Sequence, residues 1–155
     1  MKNLKHLYKV GLAGYILFIF IALCFYKERT IFTDISFHLF YIVKDSDVTI
    51  QNYRFVSIFT QIFPLAGVKL GLDLSTILKL YSIAFPLFYF ICYIICGSWL
   101  KDYVMALGLL CVNLLFSTDT FFWIQSELPQ GLAIMMVTFS LLYKADVLTG
   151  FIYTL

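Results

Sequence analysis

The apolar residues of this chain come in long blocks separated by charges rather than in an even spread, the pattern of side chains that mostly face lipid. The first block covers 10–26, between Lys9 and the Lys27-Glu28-Arg29 group. At about 1.5 Å per residue it crosses a bilayer with little to spare. Residues 80–100 carry no charge and predict a second spanning helix, with Pro86 as a tolerated kink. Further spans are predicted over 103–117 and 128–143, the latter with Pro129 in its first turn and Lys144 and Asp146 at its end. After Asp146 the chain turns apolar again up to Leu155, which predicts the start of a fifth span and a chain that is the N-terminal part of a longer polytopic protein.

Between the first two spans, residues 27–53 hold most of the charge and form the one substantial aqueous loop. Within it the pattern predicts a helix over 34–44, with Thr33 as N-cap and Asp34 in the first turn, where the helix dipole favours a carboxylate. Asp34, His38, Tyr41 and Asp45 fall on one stripe and Ile35, Phe37, Leu39, Phe40, Ile42 and Val43 cover the rest, so this helix is expected to lie on the outer membrane surface. Residues 54–70 are apolar but interrupted by Gln61 and Pro64 and closed by Lys69. They predict either a span or a juxtamembrane segment, and the polar interruptions favour the second.

Composition sharpens this reading. With 62% hydrophobic and 13% charged residues, the chain is not a soluble globular domain. A net charge of +2 without a basic block excludes the electrostatic footprint of a nucleic-acid binder. Lys2, Lys5 and Lys9 crowd the N-terminal flank and place that end in the cytoplasm. No small-x-small site follows the first block, so it is an anchor rather than a cleaved signal. The four cysteines lie in apolar runs; Cys92 and Cys96 share a helix face but have no His, Asp or Glu beside them, which reads as packing rather than a metal site. The fold expected is all-α: a single membrane domain over 1–155 with about four spans and a truncated fifth.

Two topologies follow. With 54–70 at the outer surface, helix 80–100 runs inward, and Asp34, His38 and the stretch around Asp119, Gln125 and Glu127 emerge on one side. With 54–70 spanning, those clusters separate. Counting charges does not choose, since the first arrangement holds Lys2, Lys5, Lys9, Lys101 and Lys144 inside and the second Lys2, Lys5, Lys9, Lys69 and Lys79. The first is preferred because it keeps Gln61, Pro64 and Lys69 out of a lipid-facing helix.

Asp34, one turn from His38, suits a general base at the membrane surface, or an acid that only complements the helix dipole. His38 is a candidate assistant or a hydrogen-bonded bystander. Glu127 stands at the mouth of a span, where a carboxylate is costly, and reads as a second functional acid or an ordinary helix-start acid. Arg54 and Lys69 suit a phosphate or headgroup contact, or snorkelling beside Tyr53 and Phe55.

The order of these features, with TDISFHLFYIV after the first span, QIFPLAGVKLGL before the helix pair and FFWIQSELPQG before the next span, resembles the N-terminal part of the GT-C superfamily of polytopic glycosyltransferases. The resemblance implies transfer of a sugar from a polyprenyl phosphate to an acceptor hydroxyl at the outer face of a multi-pass protein, here in a bacterial inner membrane. It makes Asp34 the base and Glu127 a second acid in the same cavity, with Arg54 placed to stabilise the departing phosphate. Many members have a second acid next to the loop Asp, where this chain has Ile35, so a divalent metal is an open expectation and the residues themselves name no cofactor. Partners implied are membrane lipid, the lipid-linked sugar, and the remainder of the polypeptide or a partner membrane protein. The competing classes are a transporter, a polysaccharide polymerase or flippase component, and a small accessory membrane protein without catalysis.

Overall fold

A computed structural model describes the chain except residues 1, 51, 52, 54, 116–120, 125, 154 and 155, and gives the backbone alone for 2, 33 and 146–153. In chain order the helices are α1 (Lys2–Cys24), α2 (Tyr26–Thr30), α3 (Thr33–Asp45), α4 (Ile58–Lys69), α5 (Leu74–Ile94), α6 (Tyr103–Leu115) and α7 (Glu127–Tyr153). A short 3-10 turn, Phe55–Ser57, leads into α4, and a π-helical turn, Ile95–Trp99, ends α5. Among the described residues there is no strand.

Three stretches are long and apolar enough to cross a membrane: Asn3–Cys24, Leu74–Trp99 and Glu127–Ala145. Of the span expected over 103–117, the described residues hold α6 (Tyr103–Leu115), and residues 116 and 117 lie outside them. One expectation changes here. The start of a fifth span does not form a separate helix, because α7 continues without a break past Lys144 and Asp146 to Tyr153. Charged residues do not end a helix; they only mark where it would leave lipid.

The central helix is α5. It begins at Leu74, six residues before the expected start, because Asp73 caps it: the Asp73 carboxylate accepts from Thr76 N at 3.0 Å and from the Thr76 hydroxyl at 2.7 Å. Exposed Lys79 belongs to its outer turns, with Nζ 5.3 Å from the Tyr26 ring centroid. Tyr81, Ala84, Phe85, Tyr89 and Tyr93 are wholly buried along its length.

Helix α1 runs antiparallel to α5. At one end the Tyr8 and Ser98 hydroxyls are 2.8 Å apart and Tyr93 OH donates to Tyr8 O at 2.9 Å. At the other, Ser82 Oγ donates to Ala22 O at 2.7 Å. The close approach needs glycine: a Cβ on Gly97 would run into the Tyr8 ring, and one on Gly11 into the Tyr93 phenol. An antiparallel α5 is what the topology preferred from sequence requires.

Residues 55–70 pack against the bundle. Helix α4 turns at Gly71 (φ 66°) and lies antiparallel along α5, with Gly67 against Ile77 and Leu80 and the Phe59 ring 5.5 Å from that of Phe88. Gln61 is accommodated by being buried in protein: its Nε2 donates to Thr49 O at 2.9 Å and Ser57 Oγ at 3.2 Å, and its Oε1 accepts from Thr49 N at 2.7 Å. A side-chain amide with its main groups satisfied carries little penalty for leaving water.

Helix α7 is displaced along the bundle relative to α5. Its first turn meets α5 at Tyr89, whose OH donates to Pro129 O at 2.6 Å, about 22 Å from the start of α5. Further on, Ser140 Oγ donates to Asp102 Oδ2 at 2.9 Å, while Asp102 Oδ1 accepts from Met105 N at 3.1 Å at the start of α6. Helix α6 packs between α1 and α7, with Gly108 facing Met136 and its partly buried Leu110 near Gly11.

Candidate functional site

The helix expected over 34–44 forms over Thr33–Asp45, close to the expected bounds, with Phe32 as the residue before it; the side chain of Thr33, the expected N-cap, lies outside the described ones. Its left-handed C-terminal residue, Ser46 (φ 53°), turns the chain towards Gln61. Ile35, Leu39 and Ile42 recur at four and three residues and are buried against the bundle, whereas Phe37, Phe40 and Val43 are exposed on another face. The helix is apolar on two sides.

His38 sits between these faces, half-buried, and Asp34 one turn earlier is exposed. Burial lowers the His38 pKa below its ordinary 6.5, against the opposing fields of Glu127 first and Asp34 second. Its Nδ1 is buried and has no hydrogen-bond partner among the described residues. Glu127, half-buried in the first turn of α7, therefore lies within electrostatic reach of an imidazole nearly ninety residues earlier in the chain. Phe32 and Trp123 clasp the two segments edge to face, with centroids 5.1 Å apart. Just behind Glu127, Gln130 is fully buried; its Nε2 donates to Ser126 O at 3.3 Å, and its Oε1 has no partner among the described residues.

The structure thus brings Asp34, His38 and Glu127 into one neighbourhood. Arg54, Asp119 and Gln125 lie outside the described residues. Three or more His, Cys, Asp or Glu side chains able to hold a metal ion are not gathered anywhere among the described residues. Chemically, a neutral imidazole within the fields of two carboxylates is able to take up a proton, one element of acid–base catalysis.

Arg29 is the residue that sequence reasoning missed. It is fully buried, and its Nε donates to Ser82 Oγ at 2.9 Å and its Nη2 to Ser82 O at 2.8 Å. Proline has no N–H, so Pro86 leaves the carbonyl four residues earlier without a helical donor. That carbonyl is Ser82 O, and the guanidinium takes the vacant place. The Phe121 ring lies 4.2 Å from Arg29 Cζ. Burial pushes its pKa down to about 9, so the group stays cationic at neutral pH, and Nη1 has no hydrogen-bond partner among the described residues. The legible signal was a Ser-x-x-x-Pro in an apolar helix, which announces a carbonyl in need of an external donor.

The chain matches no family model, and no significant match is found among curated proteins or solved structures.

Proposed function

We propose that this membrane chain carries the acid–base site of a glycosyltransferase resembling the GT-C superfamily, which moves a sugar from a polyprenyl phosphate to an acceptor hydroxyl at the outer face of a bacterial inner membrane, its N-terminus in the cytoplasm. The observation that carries this reading is the His38 environment, in which carboxylates from α3 and α7 act on one imidazole. In the proposed reaction exposed Asp34 removes the acceptor proton, and Glu127 holds His38 in orientation beside it. Arg54 is the cation assigned from sequence to stabilise the departing phosphate. A general base contributes about 10² to 10⁴ in rate. Transfer of a lipid-linked sugar in membranes holding the protein should therefore fall by about that factor in Asp34→Asn, with insertion unchanged. Near-normal turnover in Asp34→Asn returns this carboxylate to a helix-dipole role.

One observation favours a second reading, a transporter or flippase component. Helix α7 starts beside the middle of α5, and a buried cation stands at Ser82 of the same helix. Interrupted helices and intramembrane charge are features of transport pathways. Proteoliposomes loaded with fluorescent lipid-linked sugar separate the two: translocation without transfer supports the transporter, transfer without translocation the enzyme.

A further inference from the structure

Helices α1 and α6 leave a slot of about 400 Å³ between them, within the range of small-molecule sites. Val10, Gly14 and Phe18 line it on one side and Leu107, Leu110 and Leu114 on the other. At Gly14 the slot is open, since a Cβ added there would meet nothing within 4 Å. Its far end, at Phe18 and Ile21, reaches the Arg29 cluster: the Phe121 ring is 5.4 Å from that of Phe18 and 4.2 Å from Arg29 Cζ. Ala22, the residue after Ile21, accepts the Ser82 hydroxyl that in turn accepts from Arg29. An apolar slot thus ends one aromatic ring, Phe121, away from a buried cation.

We propose that this slot and Arg29 hold one anionic membrane lipid, its phosphate on the free side of the guanidinium and one acyl or isoprenoid chain along α1 and α6. Two independent observations meet in this assignment. A buried charge is costly unless a group of opposite sign accompanies it, and Arg29 has only the neutral Ser82 groups as hydrogen-bond acceptors among the described residues. The slot, for its part, is almost entirely apolar, which suits a hydrocarbon chain and excludes a free hydrated anion as its occupant. Guanidinium is the side chain best shaped for phosphate, taking it through two donors at once. The assignment stands apart from the transferase reading, because it concerns binding alone.

The test is native mass spectrometry of the full chain released from detergent with dioleoyl phosphatidic acid or dioleoylglycerol, which share chains and differ in the phosphate. Phosphatidic acid is expected to be retained at least about tenfold better, a difference of about 1.4 kcal/mol. Gly14→Trp fills the slot without touching Arg29, and Arg29→Gln removes the charge; each is expected to cut retention by about tenfold. Millimolar inorganic phosphate is expected to displace nothing. Equal retention of the two lipids, full retention in Gly14→Trp, or displacement by inorganic phosphate overturns the proposal. Should Arg29→Gln fail to fold, Gly14→Trp and the comparison of the two lipids decide.

Discussion

Where α1 meets the last turns of α5, polar groups find one another: Tyr8 with Ser98, Tyr93 with Tyr8 O, Asp102 with both Ser140 and Met105 N. Away from that end, Arg29 Nη1 beside the first half of α5, His38 Nδ1 on α3 and Gln130 Oε1 in the first turn of α7 are buried without hydrogen-bond partners among the described residues. Stability alone does not explain such a difference, because each unsatisfied buried group costs about 1–3 kcal/mol. The satisfied contacts behave as scaffold. The unsatisfied groups include His38, which feels the fields of Glu127 and Asp34.

The contrast breaks most sharply in the first comparison. Asp34→Asn should lower transfer by about 10² to 10⁴ with no loss of thermal stability, since Asp34 is exposed. At the scaffold end, Gly97→Val should do the reverse, costing about 1–3 kcal/mol of stability through collision with Tyr8 and leaving the α3 site's pH profile unchanged. Arg29→Met tests the contact of the buried guanidinium with Ser82. It deprives Ser82 O of its donor and should destabilise by about 1–3 kcal/mol. Pro86→Ala in that background restores an N–H for the same carbonyl and should recover part of the loss, whereas Pro86→Ala alone should recover nothing. Ser140→Ala, the smallest of these changes, should cost about 1 kcal/mol by removing one hydrogen bond to Asp102. Denaturation in mild detergent followed by tryptophan fluorescence measures all three stability effects.

Much of this architecture was legible because lipid-facing blocks and their charged borders follow directly from the cost of burying charge. The expected helix over 34–44 is nearly the observed Thr33–Asp45 for the same reason: its apolar positions recur at helical spacing. What was missed has a common cause. Lys79 and Lys144 read locally as helix borders, yet a helix continues through a lysine that can reach water, and the start of α5 is announced by Asp73 three residues before Thr76. Gln61 and Pro64 suggested a surface segment, because nothing local says that Thr49 will supply backbone partners for the amide. Arg29 reads as a flanking charge in the sequence because its partner lies 53 residues away on α5. Interior polar pairs form between elements, and a single sequence records only their halves. The approach of Glu127 to His38 was anticipated only as a shared side of the membrane.

Whether α3 and the start of α7 form one polar site is answered most directly by the titration of His38. The chain has 2 histidines, so His6 serves as the internal reference in an NMR titration of the detergent-solubilised protein. In the wild type His38 should titrate below 6.5, so that acidification from there costs stability: the unfolded chain takes the proton first, and stability falls as pH drops towards the folded value. Because Glu127 opposes the effect of burial, Glu127→Gln should lower the His38 midpoint further, and Asp34→Asn should lower it less. A His38 midpoint unmoved by Glu127→Gln would contradict the shared site.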